Sequence, residues 1–163
     1  MNSSLAIRSA GPGDAALILN FIRELAEYER LADDVVATEE AIDRTLFGSE
    51  AAAEVLIAEW EGQAAGFALF FSTYSTFLAK AGIWLEDLFV MQEFRDRGIG
   101  RALLSHLANL AVERDCGRLE WAVLDWNEPA IGFYRRLGAE AQDQWTTWRL
   151  TGERLNDLAE LRG

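Results

Sequence analysis

Residues 83–101 read as a strand, a turn and the start of a helix in immediate succession. The strand, Ile83-Trp84-Leu85-Glu86-Asp87-Leu88-Phe89-Val90, is apolar on both alternating faces except for two adjacent carboxylates. A strand apolar on both faces is covered on both faces, which puts it at the centre of a sheet. The turn, Met91-Gln92-Glu93-Phe94-Arg95-Asp96-Arg97-Gly98-Ile99-Gly100-Arg101, carries Arg-x-x-Gly-x-Gly and opens a helix expected from Ile99 to about Asp115. Glycines there let backbone N–H groups approach a ligand closely, and a helix N-terminus adds partial positive charge. Together they suit a phosphate-bearing ligand. A dinucleotide fold does not fit: the complete Gly-x-Gly-x-x-Gly is missing, and so is a β-α-β unit at the N-terminal end.

The rest of the chain supplies layers around that strand. Leu5–Arg8 is a short strand broken by Gly11-Pro12-Gly13, and Asp14 is an N-cap. The helix that follows runs from Ala15 to about Glu29 and presents Leu17, Ile18, Phe21, Ile22 and Leu25 on one face. Thr38 caps a second helix, Glu39 to Phe47, closed by Gly48. Val55–Trp60 and Ala64–Phe71 form a hairpin through Glu61-Gly62-Gln63, and Ser72–Lys80 links it to the central strand. The third helix turns Leu103, Leu104, Leu107 and Leu110 inward. Arg118–Leu124 is a strand, and Asn127 caps a fourth helix with Pro129 in its first turn and Gly138 at its end. Trp145–Leu150 is a late strand, and Thr151 caps a terminal helix through Leu161. Trp84 and Trp121 are expected in the core. The order β-α-α-β-β-β-α-β-α-β predicts an α/β fold of three layers, a mixed sheet with helices on both faces, in one domain over residues 1–163.

Composition narrows the chemistry. The chain has 15 basic and 27 acidic residues, a net charge of −12. That balance opposes nonspecific nucleic-acid binding and either favours cationic small molecules or simply keeps the protein soluble. A single histidine, His106, and a single cysteine, Cys116, leave no metal-ligating cluster and no internal disulfide. No apolar run is long enough to span a bilayer, and residues 1–8 lack the pattern of a signal peptide. These features predict a cytoplasmic protein with no membrane partner.

The glycine turn resembles the acetyl-CoA-binding motif of the GNAT N-acetyltransferase superfamily, Arg/Gln-x-x-Gly-x-Gly/Ala. A second segment narrows the resemblance: Ala122-Val123-Leu124-Asp125-Trp126-Asn127-Glu128-Pro129-Ala130-Ile131-Gly132-Phe133-Tyr134-Arg135-Arg136-Leu137-Gly138-Ala139. It is similar to the spermidine/spermine (diamine) N-acetyltransferase family, including its thialysine-acetylating branch. The resemblance runs from about Ile7 to Leu150. It implies the GNAT fold, with the central strand and the Arg118 strand splayed apart to admit acetyl-CoA, and it implies a homodimer. In polyamine-specific members an acidic residue follows the tyrosine that matches Tyr74. Here Ser75 and Thr76 follow it, as in the thialysine branch, which removes one partner for a distal ammonium.

Acetyl transfer from a thioester to an amine sets four requirements. The cofactor must be held, the amine must be neutral, the carbonyl oxygen must be stabilised and the thiolate must leave. An alkylammonium has a pKa of about 10.4, so a base or a desolvating site is needed near neutral pH. The turn residues Arg95, Asp96, Arg97, Gly98, Ile99, Gly100 and Arg101 are expected to hold the pyrophosphate, through backbone N–H groups from Arg97 onward and through the charges of Arg95 and Arg101. The resemblance puts Glu86 at the base position, acting through water, with Asp87 either assisting or making a structural hydrogen bond. The competing reading of both is a charge network that supports the sheet. Successive strand residues point to opposite faces, so a regular strand offers only one of the two to an amine; a bulge relaxes that limit.

The backbone of Leu88, Phe89 and Val90 is expected at the thioester carbonyl and pantetheine arm. Tyr134, seven residues after Asn127 on the same helix face, is the candidate acid for the leaving thiolate. Asn127, Pro129, Ala130 and Arg136 are expected at the cofactor. Tyr28, Glu29, Tyr74, Ser75, Glu86 and Trp148 are expected at the amine. No serine or cysteine motif suggests an acetyl-enzyme, so attack is direct. The favoured reading is acetyl transfer from acetyl-CoA to a primary amine of a small cationic substrate, a thialysine-like amino acid or a diamine or polyamine. The alternatives are a catalytically silent acyl-CoA-binding regulatory module and an acetyltransferase of protein N-termini or peptides.

Overall fold

The computed structural model describes residues 4–161. The chain divides at the Leu124–Asp125 bond into two compact units.

The first unit holds a five-stranded sheet in the order β1-β2-β3-β4-β5. The strands are β1 (Leu5–Ser9), β2 (Glu54–Trp60), β3 (Gln63–Ser75), β4 (Lys80–Val90) and β5 (Leu119–Trp121). The first four are antiparallel neighbours, and β5 runs parallel to β4. The helices are α1 (Ala15–Tyr28), α2 (Glu39–Phe47) and α3 (Ile99–Glu113). One face of the sheet, with Val55, Ile57, Phe67 and Phe89, packs on Ile18, Leu19 and Phe21 of α1 and Ile42 of α2. At its centre the rings of Phe21 and Phe67 stack with centroids 5.1 Å apart. The third helix contacts β2, β3 and β4 and buries Leu103, Leu104 and Leu107. It takes the opposite face, where Leu56, Ala58, Ala68 and Phe70 alternate with the first set. The mixed sheet with helices on both faces is the one expected.

Several boundaries differ from the sequence pattern. Ser72–Lys80 is no link: β3 continues to Ser75 and β4 starts at Lys80, in register from Ser75↔Lys80 to Gly66↔Val90. Backbone pairing extends both strands beyond their apolar stretch. The Arg118–Leu124 strand shrinks to Leu119–Trp121, which pairs with Ile83–Leu85 of β4; the ladder stops at Trp121. Asp14 precedes α1 without capping it. Its carboxylate instead accepts two hydrogen bonds from the Arg8 guanidinium, at 2.8 and 2.9 Å, and one from the Gly11 N–H at 2.8 Å. That charged pair outcompetes a neutral cap and pulls the Asp14 carboxyl below its usual range. Trp84 and Trp121 are half-buried rather than deep in the core.

The second unit contains α4 (Glu128–Arg136) and α5 (Gly152–Glu160). The expected strand at Trp145–Leu150 is absent. A strand needs a partner for its N–H and C=O groups, and none of the described strands pairs with this segment. No described helix is long and apolar enough to cross a membrane.

Candidate active site

The alternation of β4 breaks at Glu86. Asp87 lies opposite Leu69 and Leu85 lies opposite Phe70, so Glu86 is an extra residue with no cross-strand partner. This is a β-bulge. Residues opposed across a ladder share a face. Leu69 packs against the α1 core, so Asp87 looks toward α1, as does Phe89 two residues on. Trp84, opposite Phe71, is on that same face. Its Nε1–H donates to the Glu86 carboxylate at 2.8 Å and keeps Glu86 there too. Two consecutive carboxylates thus point the same way, which a regular strand forbids.

A third carboxylate joins them. Glu29 is the residue just past α1, and burial raises its pKa. The Asp87 carboxyl is pushed up to about 6, first by burial and then by the charges of Glu86 and Glu29. A cation placed among the three relieves that repulsion, and a carboxylate that titrates near pH 6 is well matched to taking a proton at neutral pH.

The bulge is also where the sheet opens. β4 pairs with β5 only through Ile83, Leu85 and the residue between them. From Glu86 to Val90, β4 has a strand partner on the β3 side alone. Gly66 keeps that remaining pairing tight: a Cβ there would sit 2.5 Å from the Phe89 carbonyl oxygen.

The turn after β4 ends at Gly98, which takes the left-handed conformation (φ +76°) and starts α3 with no side-chain cap. The first hydrogen bond of the helix runs from the Ala102 N–H to the Gly98 oxygen. The N–H groups of Ile99, Gly100 and Arg101 therefore lack intrahelical acceptors. The space above them is open: a Cβ at Gly98 would meet nothing within 4 Å, and one at Gly100 only Val90 Cγ2 at 3.9 Å. An uncapped fifteen-residue helix facing open space suits a phosphate group. Asp96, at φ +62°, holds the turn in a conformation costly for a side chain. Arg101 is exposed. Arg97 stacks over Trp60 at 5.1 Å, and Arg95 over Tyr28 at 5.0 Å.

Other candidates lie elsewhere in the first unit. Tyr74 is exposed near the hairpin tip, and Ser75 is buried, its Oγ accepting the Leu78 N–H at 3.3 Å. Ser75 is five residues along β3 from Phe70, or about 16 Å from the bulge. Its hydroxyl shapes the β3–β4 turn. His106 is exposed, and no described group of His, Cys, Asp and Glu is placed to hold a metal. Within the second unit, Asn127 is buried and its Oδ1 accepts the Ala130 N–H at 3.4 Å, with Pro129 in the first turn of α4. Tyr134 is half-buried beside Phe133, ring centroids 5.5 Å apart, and Arg135 and Arg136 are exposed at the helix end. Trp148 is 92% exposed. The sequence reading missed the roles of Trp84 and of the Arg95 stack. The i, i+2 spacing of Trp84 and Glu86 was the available signal for the first.

The acetyltransferase (GNAT) family model matches residues 19–139. The chain belongs to this family. It is 39% identical to the thialysine N-epsilon-acetyltransferase of Sus scrofa, over 96% of this chain and 98% of that protein. It is 33% identical to the L-ornithine N5-acetyltransferase of Arabidopsis thaliana, over 95% and 88%. Among solved structures, an integron cassette protein from the mobile metagenome of V. cholerae superposes with a TM-score of 0.83 at 26% identity, covering 98% of this chain and 100% of that one. With such relatives over nearly its whole length, this GNAT protein is an N-acetyltransferase that acetylates amines.

Proposed function

We propose that this N-acetyltransferase uses acetyl-CoA to acetylate the primary amine of a small cationic substrate, a thialysine-like amino acid or a diamine. The observation that carries the reading is the Glu86 bulge, which turns Glu86 and Asp87 to one face with Glu29, beside the half of β4 that β5 leaves open. Acetyl-CoA, when bound, supplies an activated acetyl thioester. The N–H groups of Gly98, Ile99, Gly100 and Arg101 hold its diphosphate, and the unpartnered edge of β4 around Leu88 and Val90 offers backbone donors to the rest. Asn127, Pro129, Ala130 and Arg136 complete the cofactor site in this reading.

The three carboxylates hold the ammonium, and the Glu86–Asp87 pair takes its proton, leaving a neutral nitrogen to attack. The Tyr134 hydroxyl gives a proton to the departing thiolate. The family model spans the Leu124 boundary, which supports treating both units as one catalytic domain. The exposed Trp145, Trp148, Leu155 and Leu158 of the second unit support a homodimer, and the single cysteine fits a cytoplasmic setting.

The test is acetyl-CoA-dependent thiol release across thialysine, lysine, ornithine, putrescine, spermidine and short peptides. The expected result is preference for a small amine; preference for a peptide would sink the reading.

A further inference from the structure

The bulge leaves Glu86 without support from the sheet. It has no cross-strand partner on β3, and the β5 ladder stops one residue earlier, at Leu85. Its side chain is exposed, and Asp87 and Glu29 bring two further acidic groups to the same side. A long exposed carboxylate among like charges gains freedom and escapes repulsion by turning out to water. Here it stays. The Trp84 Nε1–H donates to its Oε2 at 2.8 Å, and no other hydrogen bond or ion pair among the described residues reaches that carboxylate.

Trp84 is itself firmly held. It is half-buried in the doubly paired half of β4, between Phe71 of β3 and Glu120 of β5. The Glu120 carboxylate is engaged by the Arg118 Nε at 2.8 Å, so the indole N–H is left for Glu86, two residues along. The residue type matters. An indole donates one N–H and carries no charge. An arginine or lysine in its place would also hold Glu86, but it would cancel the carboxylate's charge and repel an incoming ammonium. A neutral donor fixes the carboxylate and leaves its field acting on Asp87 and on the substrate. The other charged or titratable groups on this side are Glu29 at the end of α1, the Glu120–Arg118 pair, and Arg95 over the ring of Tyr28.

We propose that Trp84 is a positioning residue for the reaction: its indole N–H holds the Glu86 carboxylate beside Asp87 without neutralising it. The inference rests on the acid–base role given above to Glu86 and Asp87, and it names what keeps the two together.

The test sets Trp84→Phe against Trp84→Gln, each also combined with Glu86→Ala. Phenylalanine keeps an aromatic ring and loses the donor. Glutamine loses the ring and keeps an N–H donor the same number of bonds from Cα. Kinetics are read from about pH 5 to about pH 9, with the amine of the panel above that the wild type turns over fastest. Trp84→Phe should lower kcat about tenfold, with the KM for acetyl-CoA unchanged. Its rise of kcat/KM with pH should move to lower pH, because a Glu86 that swings out takes its charge away from Asp87. Trp84→Gln should keep most of the rate and the wild-type profile. In the Glu86→Ala background, Trp84→Phe should cause no further loss. A glutamine variant worse than phenylalanine, with the pH profile unmoved, overturns the proposal in favour of ring packing. The same Trp84→Phe loss with and without Glu86 also overturns it. An impaired Glu86→Ala beside an unimpaired Trp84→Phe sinks this inference alone. A Glu86→Ala enzyme with wild-type kinetics, or a wild type that turns over no amine, removes the reading beneath it as well.

Discussion

The two halves of β4 are built from similar residues and do different work. From Lys80 to Leu85 the strand is paired to β3, and its last three residues are paired to β5 as well. From Glu86 to Val90 it is paired on one side only. The change coincides with a single extra residue. A bulge bends its strand and ends regular pairing, so one insertion both gathers the carboxylates and opens the sheet beside them. The first half satisfies its backbone within the fold, and the second leaves groups for a ligand.

The comparison can be broken most severely at the carboxylates. Replacing both, as Glu86→Gln with Asp87→Asn, should lower kcat by about 10²–10⁴ at neutral pH. The loss should shrink at high pH, where the free amine is plentiful; a deficit constant with pH would mean the open half of β4 does not supply the base. In the wild type, kcat/KM should rise with pH through an apparent pKa near 6, the value to which Asp87 is raised.

Tyr134→Phe lies outside β4 and asks whether the open half works alone. Single-turnover measurements should show about 10²-fold slower acetyl transfer with acetyl-CoA affinity retained. Unchanged turnover would remove the tyrosine from the proposed chemistry.

Gly66→Ala attacks the pairing that the open half retains. Its Cβ would meet the Phe89 oxygen at 2.5 Å and Val90 Cα at 3.2 Å. Denaturant unfolding should show a loss of about 2 kcal/mol, as for other overpacking changes. A neutral result would show that β4 can move off β3 beyond the bulge.

Asp87→Asn alone should stabilise the protein, at the expense of activity. Asp87 has a folded pKa of about 6 against an ordinary value of 3.8, so the folded state binds its proton more tightly. Stability therefore falls as pH rises through roughly 4 to 6, and the wild type carries this cost at pH 7. The variant should gain about 3 kcal/mol at pH 7 and well under 1 kcal/mol at pH 4. A gain independent of pH would point to packing instead of charge.

The smallest effect is expected in the fully paired half's hairpin. Ser75→Ala loses one hydrogen bond to the Leu78 N–H and should cost about 1 kcal/mol or less, with acceptor preference unmoved. A shift in preference would bring the hairpin tip into the amine site.

By itself the sequence determined the parts whose signal is local. The glycine turn opening α3 was legible because a left-handed residue before a helix demands glycine. α2 was legible to the residue because Thr38 and the apolar spacing mark it. The family was legible because two motifs stand in order. The order of elements followed except at Trp145–Leu150, where β-prone residues found no strand to pair with.

Only the tertiary structure decided how Glu86 and Asp87 are used. A side-chain period of two says one of them faces away, and the bulge that reverses this exists only in register with Leu69 and Phe70 of β3. The same holds for the raised pKa of Asp87, which needs Glu29 brought in from the end of α1, and for Arg95, whose direction was set by the rings of Tyr28 and Phe89. Residues 28, 87 and 95 are separated along the chain, and their mutual placement is a property of packing.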